Sequence, residues 1–158
     1  MAAVVLISAG LSAAVRFRLE VFRVEGSSMA PTLHEGQYIV ATKSNQGKRQ
    51  LPSRGTLVVF QDSPADFFRV CVKRVIGLPG EKVEVRKACI YINDQHLHEP
   101  YVVAPGHYGW GPATVPPAQY FVLGDDRRTS YDSSSWGWLS DQRIIGTVRL
   151  SGWPPQWH

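Results

Sequence analysis

Val72-Lys73-Arg74-Val75-Ile76-Gly77-Leu78-Pro79-Gly80 is the stretch on which the reading of this chain turns. β-Branched residues surround two adjacent cations, and Gly-Leu-Pro-Gly follows, which is the pattern of a strand halted by a turn. Traced upstream, the strand-like run extends over Phe67 to Ile76. Side chains alternate in an extended segment, so Lys73 shares a face with the apolar Cys71 and Val75 while Arg74 points to the other side. The same signals recur outward at Leu19 to Val24, Gln37 to Ala41, Gly55 to Phe60, Lys82 to Arg86, Cys89 to Ile92, Tyr120 to Leu123 and Ile144 to Leu150. Asn93-Asp94 is the expected turn after Ile92. Lys43 to Arg54 is polar, with Gly47 and Pro52, and is expected to be a loop. Val102 to Pro117 breaks repeatedly at Pro and Gly-Pro and suits a small irregular lobe. Beyond the N-terminus there is no long amphipathic helix, internal repeat or low-complexity tract. The body is expected to be mainly β.

The 158 residues support one core with a small insertion. Apolar residues at 44% and charged residues at 19% exclude disorder by composition. A net charge of +4, with no basic run longer than two residues, fits a solvated basic surface or attraction to anionic lipid and gives no argument for nucleic acid. The two cysteines, Cys71 and Cys89, fall within strand-like runs and are expected to be buried free thiols. His96 and His98 share a face if extended, but two side chains make no metal site, so no metal or other cofactor is expected.

Residues 1 to 15 carry no charged side chain. As a helix such a run is about 22 Å long, against a hydrocarbon core of about 30 Å. A full span needs help from Arg16 to Phe22, with Arg16 and Arg18 snorkelling to the headgroups. A cleavable signal peptide wants basic residues before the apolar run, and here they follow it, so an uncleaved anchor is expected. The two arginines taken alone place the body in the cytoplasm.

Gly26-Ser27-Ser28-Met29-Ala30-Pro31-Thr32-Leu33 sets a serine among turn residues. A serine hydroxyl needs a base before it becomes a useful nucleophile. His34 is the nearest histidine in sequence, but its spacing gives no Asp-oriented Ser-His arrangement. Lysine can serve if it is neutral, and at an ordinary pKa near 10.4 only about one in a thousand is neutral at pH 7.4. Desolvation must disfavour the ammonium by about 3 to 4 kcal/mol. Lys73, between apolar neighbours, is the candidate; a solvated strand-edge lysine is the plainer alternative.

The Ser28 segment, the Lys73 to Glu81 segment and Gly124-Asp125-Asp126-Arg127-Arg128-Thr129-Ser130-Tyr131-Asp132, in that order and spacing, resemble the three boxes of bacterial type I signal peptidases over about residues 20 to 150. The resemblance implies an antiparallel β-sheet or barrel-like catalytic core over 19–83 and 119–158, a small inserted β lobe over 84–118, and an N-terminal apolar membrane-anchor helix over 1–18. It makes Ser28 the nucleophile and Lys73 the general base. Ser130 is implied to orient the Lys73 amine, with Asp125, Arg127, Asp132 and Arg74 as supports, Arg74 through an ion pair on the far face. Met29 and Gly26 are the implied substrate-binding positions, Gly26 standing where some members carry a hydroxyl donor to the oxyanion. Arg128, Thr129 and Ser134 depart from residues frequent in the family, which bears on local ion pairing.

The implied substrates are secretory preproteins cut after Ala-x-Ala-like sequences, processed on the outer face of the cytoplasmic membrane by a lipid-associated enzyme. That topology opposes the one the two arginines suggest and is preferred to it. Trp110, Trp136, Trp138 and Trp153 are divided between core packing and the membrane interface. The alternatives are a self-cleaving repressor-type protease, which would bring a DNA-binding domain, an organelle or conjugation peptidase, and a catalytically idle peptide-binding module. Cys71 is expected close to the site.

Overall fold

The computed structural model of the chain describes residues 3–7, 19–43, 51–63 and 66–153. Its elements are β1 (Ala3–Ile7), β2 (Leu19–Glu25), β3 (Tyr38–Lys43), β4 (Leu57–Ser63), β5 (Asp66–Gly77), β6 (Lys82–Arg86), β7 (Cys89–Ile92), β8 (Gln95–His96), β9 (Trp110–Thr114), β10 (Gln119–Leu123), a one-turn helix α1 (Ser133–Trp136), β11 (Leu139–Ser140) and β12 (Ile144–Trp153). Every named strand pairing is antiparallel. The larger sheet runs β1-β2-β3-β12-β4-β5-β10-β11, and the smaller runs β8-β7-β6-β9. Strand pairing across the seam of the larger sheet, between β1 and β5, joins Ala3 with Cys71 and Val4 with Val70. The architecture is therefore a mainly β pair of sheets, and the expected barrel-like closure reduces to this short seam.

β5 is the central strand because it is apolar on both faces. Val72 packs with Phe22, Val24, Met29 and Leu33 on one side, while Cys71 and Val75 pack with Val58, Phe60, Tyr120 and Val122 on the other. Burying each of these larger side chains is worth about 1.5–3 kcal/mol. Ile76, Phe121 and Leu123 join Val83, Val85, Ile90 and Ile92 of the smaller sheet in a third cluster, so the two sheets share apolar contacts. The β7–β8 hairpin turns at Asn93 and Asp94, whose φ angles of 49° and 66° are the pair that a two-residue primed turn requires.

Three expectations change. The apolar helix over 1–18 gives way at Ala3–Ile7 to a strand, whose Val-rich backbone finds partners in both β2 and β5; residues 1, 2 and 8–18 lie outside those described. Among the described residues no helix is long and apolar enough to cross a membrane. Cys89 is exposed, because it begins β7 at a turn, whereas Cys71 is buried; the two are not joined in a disulfide. The stretch Val102 to Pro117 is more ordered than its prolines suggest, since Trp110–Thr114 adds β9 to the edge of β6. Trp110 and Trp138 pack with Phe121, and Trp136 packs against the cluster around Phe60, so these three tryptophans serve the core.

Candidate active site

Ser28 sits in the turn that follows β2. Gly26 has φ of +80°, a region that side chains with a Cβ avoid, and it swings the chain out of the sheet. Backbone bonds from Ala30 N–H to Ser27 O at 2.9 Å and from Leu33 N–H to Met29 O at 2.9 Å then coil the segment. Met29 and Leu33 are wholly buried in the core, which fixes the height of the turn. Met29 is thus the floor beneath Ser28 and not an exposed surface for a ligand. Ser28 itself is 2% exposed.

Lys73 reaches this turn from β5, which is held in register by β4, where Lys73 faces Val58, and by β10, where Val75 faces Val122. The lysine is 2% exposed, and its Nζ is hydrogen-bonded to Ser28 Oγ at 2.6 Å. Desolvation is the largest influence on the amine and pushes its pKa below the ordinary lysine value. The charges of Asp132, Cys71, Asp62 and Asp125, in that order, oppose the fall without cancelling it. Cys71, on the same face, is near enough to act on the amine, as its spacing implied. His34, the other base considered, is exposed.

Arg74, on the opposite face of β5, makes the ion pair expected of it. Its Nε donates to Asp125 Oδ1 at 2.8 Å and its Nη2 to Asp125 Oδ2 at 2.5 Å, a bidentate arrangement. The same guanidinium donates to Gly55 O at 2.8 Å and to Thr32 Oγ1 at 3.2 Å. Thr32 donates in turn to Asp125 Oδ2. Three segments far apart in sequence, the serine turn, the lysine strand and the acidic loop, are thereby tied at one point. Asp125 is completely buried, so this pair is shielded from salt and solvent.

The acidic loop closes over Ser28. Asp126 N–H donates to Ser28 O at 3.1 Å, and an added Cβ at Gly124 would stand 2.5 Å from that same oxygen and 2.6 Å from Ser130 Cβ. Only glycine lets the two loops approach so closely. Asp132 is buried and accepts from Gly124 N–H at 3.0 Å, from Ser134 N–H at 3.1 Å and from Ser134 Oγ at 2.8 Å. It caps α1 and anchors the loop at once, with Ser134 supplying the hydrogen bonds. Ser130 is brought beside the Ser28 turn, but its buried Oγ makes no hydrogen bond, so the implied bond to the Lys73 amine is not formed.

Arg127 is buried as well; its Nε donates to Gly124 O at 2.8 Å and its Nη2 to Glu99 Oε1 at 2.6 Å. Glu99 also accepts from Tyr101 Oη at 2.9 Å, and the Tyr101 ring lies 3.9 Å from the Arg74 guanidinium carbon. Thr32, Glu99 and Tyr101 therefore complete a ring of contacts around the dyad's supports that sequence reasoning missed. Thr32 lay inside the serine segment and was legible there; Glu99-Pro100-Tyr101 lies outside every motif, and only the fold brings it near. No group of His, Cys, Asp and Glu among the described residues is arranged to hold a metal ion.

Residues 1–153 match the family model described as signal peptidase, peptidase S26. The chain is 39% identical over 142 residues to a probable signal peptidase I-2 of Synechocystis, an alignment covering 87% of this chain and 65% of that protein. It thus spans just under two thirds of that relative's length. Identity is 37% over 156 residues to signal peptidase I of Leptolyngbya laminosa, covering 92% and 76%. It is 35% over 162 residues to signal peptidase I of Bacillus amyloliquefaciens, covering 95% and 82%. A crystal structure of a signal peptidase I from Enterococcus faecalis superposes with a TM-score of 0.54 at 31% identity, covering 63% of this chain and 98% of that one. Matches of this extent, to both sequence and fold, make the chain a member of the peptidase S26 signal peptidase family.

Proposed function

We propose that this chain is a membrane-associated serine endopeptidase that removes signal peptides from secretory preproteins, with Ser28 as nucleophile and Lys73 as general base. The observation that carries the reading is the 2.6 Å contact between Lys73 Nζ and Ser28 Oγ, with both residues 2% exposed. A neutral amine at that distance accepts the hydroxyl proton as Oγ attacks the scissile carbonyl. The resulting ammonium returns the proton to the leaving amine, and an acyl-enzyme remains on Ser28. Lys73 then takes a proton from water, the hydroxide adds to the ester carbonyl, and collapse restores the serine with the proton returned to Oγ. Burial serves this cycle by keeping the resting amine below its ordinary pKa.

In this reading Asp125, Arg74, Arg127 and Asp132 hold the dyad in place and do no proton transfer. Ser130 stands beside the Ser28 turn as a supporting residue, and Gly26 leaves room for the peptide beside the turn. The body over 19–83 and 119–158 carries the chemistry and 84–118 forms a lobe beside it. Membership of the family supports a place on the outer face of the cytoplasmic membrane, against lipid. Nucleic acid and cofactors have no role in it.

The test is cleavage of a synthetic preprotein ending its signal in Ala-x-Ala, by the full chain in detergent, from pH 6 to 10. The expected result is a single cut after that sequence by the wild type, with none by Ser28→Ala or Lys73→Met. Equal cleavage by either variant would remove the dyad from the mechanism.

A further inference from the structure

A cavity of about 750 Å³ opens between the segment Val103–Gly109 and the acidic loop, with Arg127, Arg128, Ser130, Ser134 and Ser135 on its other side. The two walls are stitched together by a bridge between Ala104 and Asp126. Tyr108 Oη, Arg127 Nη1 and Ser130 Oγ are all buried with no hydrogen bond of good geometry, although Tyr108 and Arg127 lie close enough to act on each other, and all three residues line this one cavity. The Arg127 side chain is 1% exposed.

These three groups have a common character. A guanidinium nitrogen can only donate, and hydroxyls of tyrosine and serine donate readily to a charged acceptor. Burial pushes the Tyr108 phenol above its ordinary pKa, although Arg127 opposes this, so it keeps its proton at neutral pH. The carboxylates beside the cavity are already paired. Glu99 and Asp126 are already engaged by Arg127 Nη2 and by Arg128, and His107 and exposed Arg128 stand on the lining. Three donor groups on one lining, with the exposed Arg128 at the rim, match a small, charged acceptor.

Position identifies the source of that acceptor. Ser130 lines the cavity and also packs, across Gly124, against the main chain of Ser28. The cavity and the Ser28 turn are therefore neighbours across this one loop contact. We propose that this cavity receives the carboxylate of an aspartate or glutamate side chain of the peptide substrate, a few residues from the cut, so that the enzyme reads an acidic residue in addition to the cleavage sequence. The proposal rests on the endopeptidase function argued above.

The experiment compares matched peptides carrying Asp or Asn at one position at a time on either side of the Ala-x-Ala cut, with wild type and Tyr108→Phe in detergent. The expected result is one position at which wild type prefers Asp by about tenfold in kcat/KM, a size suited to one charge-assisted hydrogen-bond set. Tyr108→Phe lowers that ratio to about threefold or less. The readout is a ratio, so a general loss of activity cancels. Should Tyr108→Phe not fold, Arg128→Gln, on the exposed rim, supplies the same ratio and is expected to lower it. No Asp preference at any position, or the same preference in the variant, overturns the proposal while cleavage of the Asn peptides leaves the peptidase reading standing. Cleavage of no peptide at all overturns both. Acetate titrated at constant ionic strength separates the sources: an effect on the Asn peptides that Tyr108→Phe abolishes, without any Asp preference, would give the cavity to a free anion and refute a substrate subsite.

Discussion

Replacing Asp125 by alanine removes the acceptor of three hydrogen bonds and leaves the Arg74 guanidinium in place. In the wild type the arginine side chain is 11% exposed and the aspartate side chain 0%, so the pair sits where solvent neither screens the attraction nor rescues an abandoned charge. Breaking a buried pair by deleting one partner costs about 3–5 kcal/mol, most of it the penalty of the stranded ion. For a chain of this length each kcal/mol corresponds to about 2–4 °C in Tm, so Asp125→Ala is expected to melt about 6–20 °C lower. Gly55 O, Thr32 Oγ1 and the Tyr101 ring still hold Arg74, which favours the lower half of that range. The double variant Arg74→Met, Asp125→Ala strands no charge and is expected to lose clearly less than the sum of the two single losses. The assay is thermal unfolding of the full chain in detergent, followed by circular dichroism, with kcat and KM measured on the same samples at a temperature where each is folded. Because the pair ties the Ser28 turn to the strand that bears Lys73, the loss should appear in kcat more than in KM. A drop under about 1 kcal/mol, the ordinary value of an exposed pair, or strict additivity in the double variant, would refute the argument that burial gives this contact its weight.

Three other outcomes follow from the same geometry. The folded-state pKa of Lys73 is lowered, so between that value and the ordinary lysine pKa the unfolded chain binds more protons and wild-type stability rises with pH. Lys73→Met should therefore be more stable than wild type at pH 7, an advantage that shrinks as pH climbs toward the unfolded lysine pKa; urea denaturation at several pH values measures it, and a constant difference would contradict the lowered pKa. Exposed Cys89 should react with a bulky disulfide reagent well before buried Cys71, and slower turnover should track the second thiol only; full labelling of Cys71 with an unchanged rate would place it away from the dyad. Gly124→Ala should abolish most turnover, because its Cβ would press on backbone at Ser28 O, which has little freedom to retreat; a fully active, normally stable Gly124→Ala protein would show that the loops have slack.

What was legible in the sequence is what local chemistry controls. Alternating β-branched residues located most strands of both sheets to within a few residues, since strands such as Cys89–Ile92 and Lys82–Arg86 of the smaller sheet are fixed by a period of two and by the turns that bound them. The Asn93-Asp94 turn was visible because both residues tolerate positive φ, whereas the preceding turn at Lys87 and Ala88, with φ of 49° and 64°, uses residues that announce nothing. An apolar run such as Ala3–Ile7 suits helix and strand alike, and only the open edges of β2 and β5 decide between them. At the site, the apolar neighbours Cys71 and Val75 made an enclosed Lys73 conceivable, while the strand alone favoured a solvated lysine, and the three-box resemblance was needed to turn the reading. The Glu99 and Tyr101 contacts were invisible because their partners, Arg127 and Arg74, lie 28 and 27 positions away and meet them only across the junction of the sheets. Ser134 in place of a basic residue pointed to altered pairing around Asp132, and the outcome is a neutral helix cap.

Lys73 and Arg74 are consecutive on one strand and face opposite ways, one toward the nucleophile and the other toward the clasp that joins the loops. Side-chain direction along a strand has a period of two, so a slip of β5 by one residue would exchange their sides. A lysine would then enter the clasp and a permanently charged guanidinium, useless as a base, would meet Ser28. The arginine thus acts as a key for the lysine: only the register that closes the clasp around Asp125 also delivers an amine to the serine, and a misthreaded sheet is inert instead of being a poorly controlled protease. For the same reason, a single-residue insertion within this strand should be far more damaging than one in the Lys43 to Arg54 stretch, and the tolerance of the two places to added length is a direct measure of how tightly catalysis is indexed to folding.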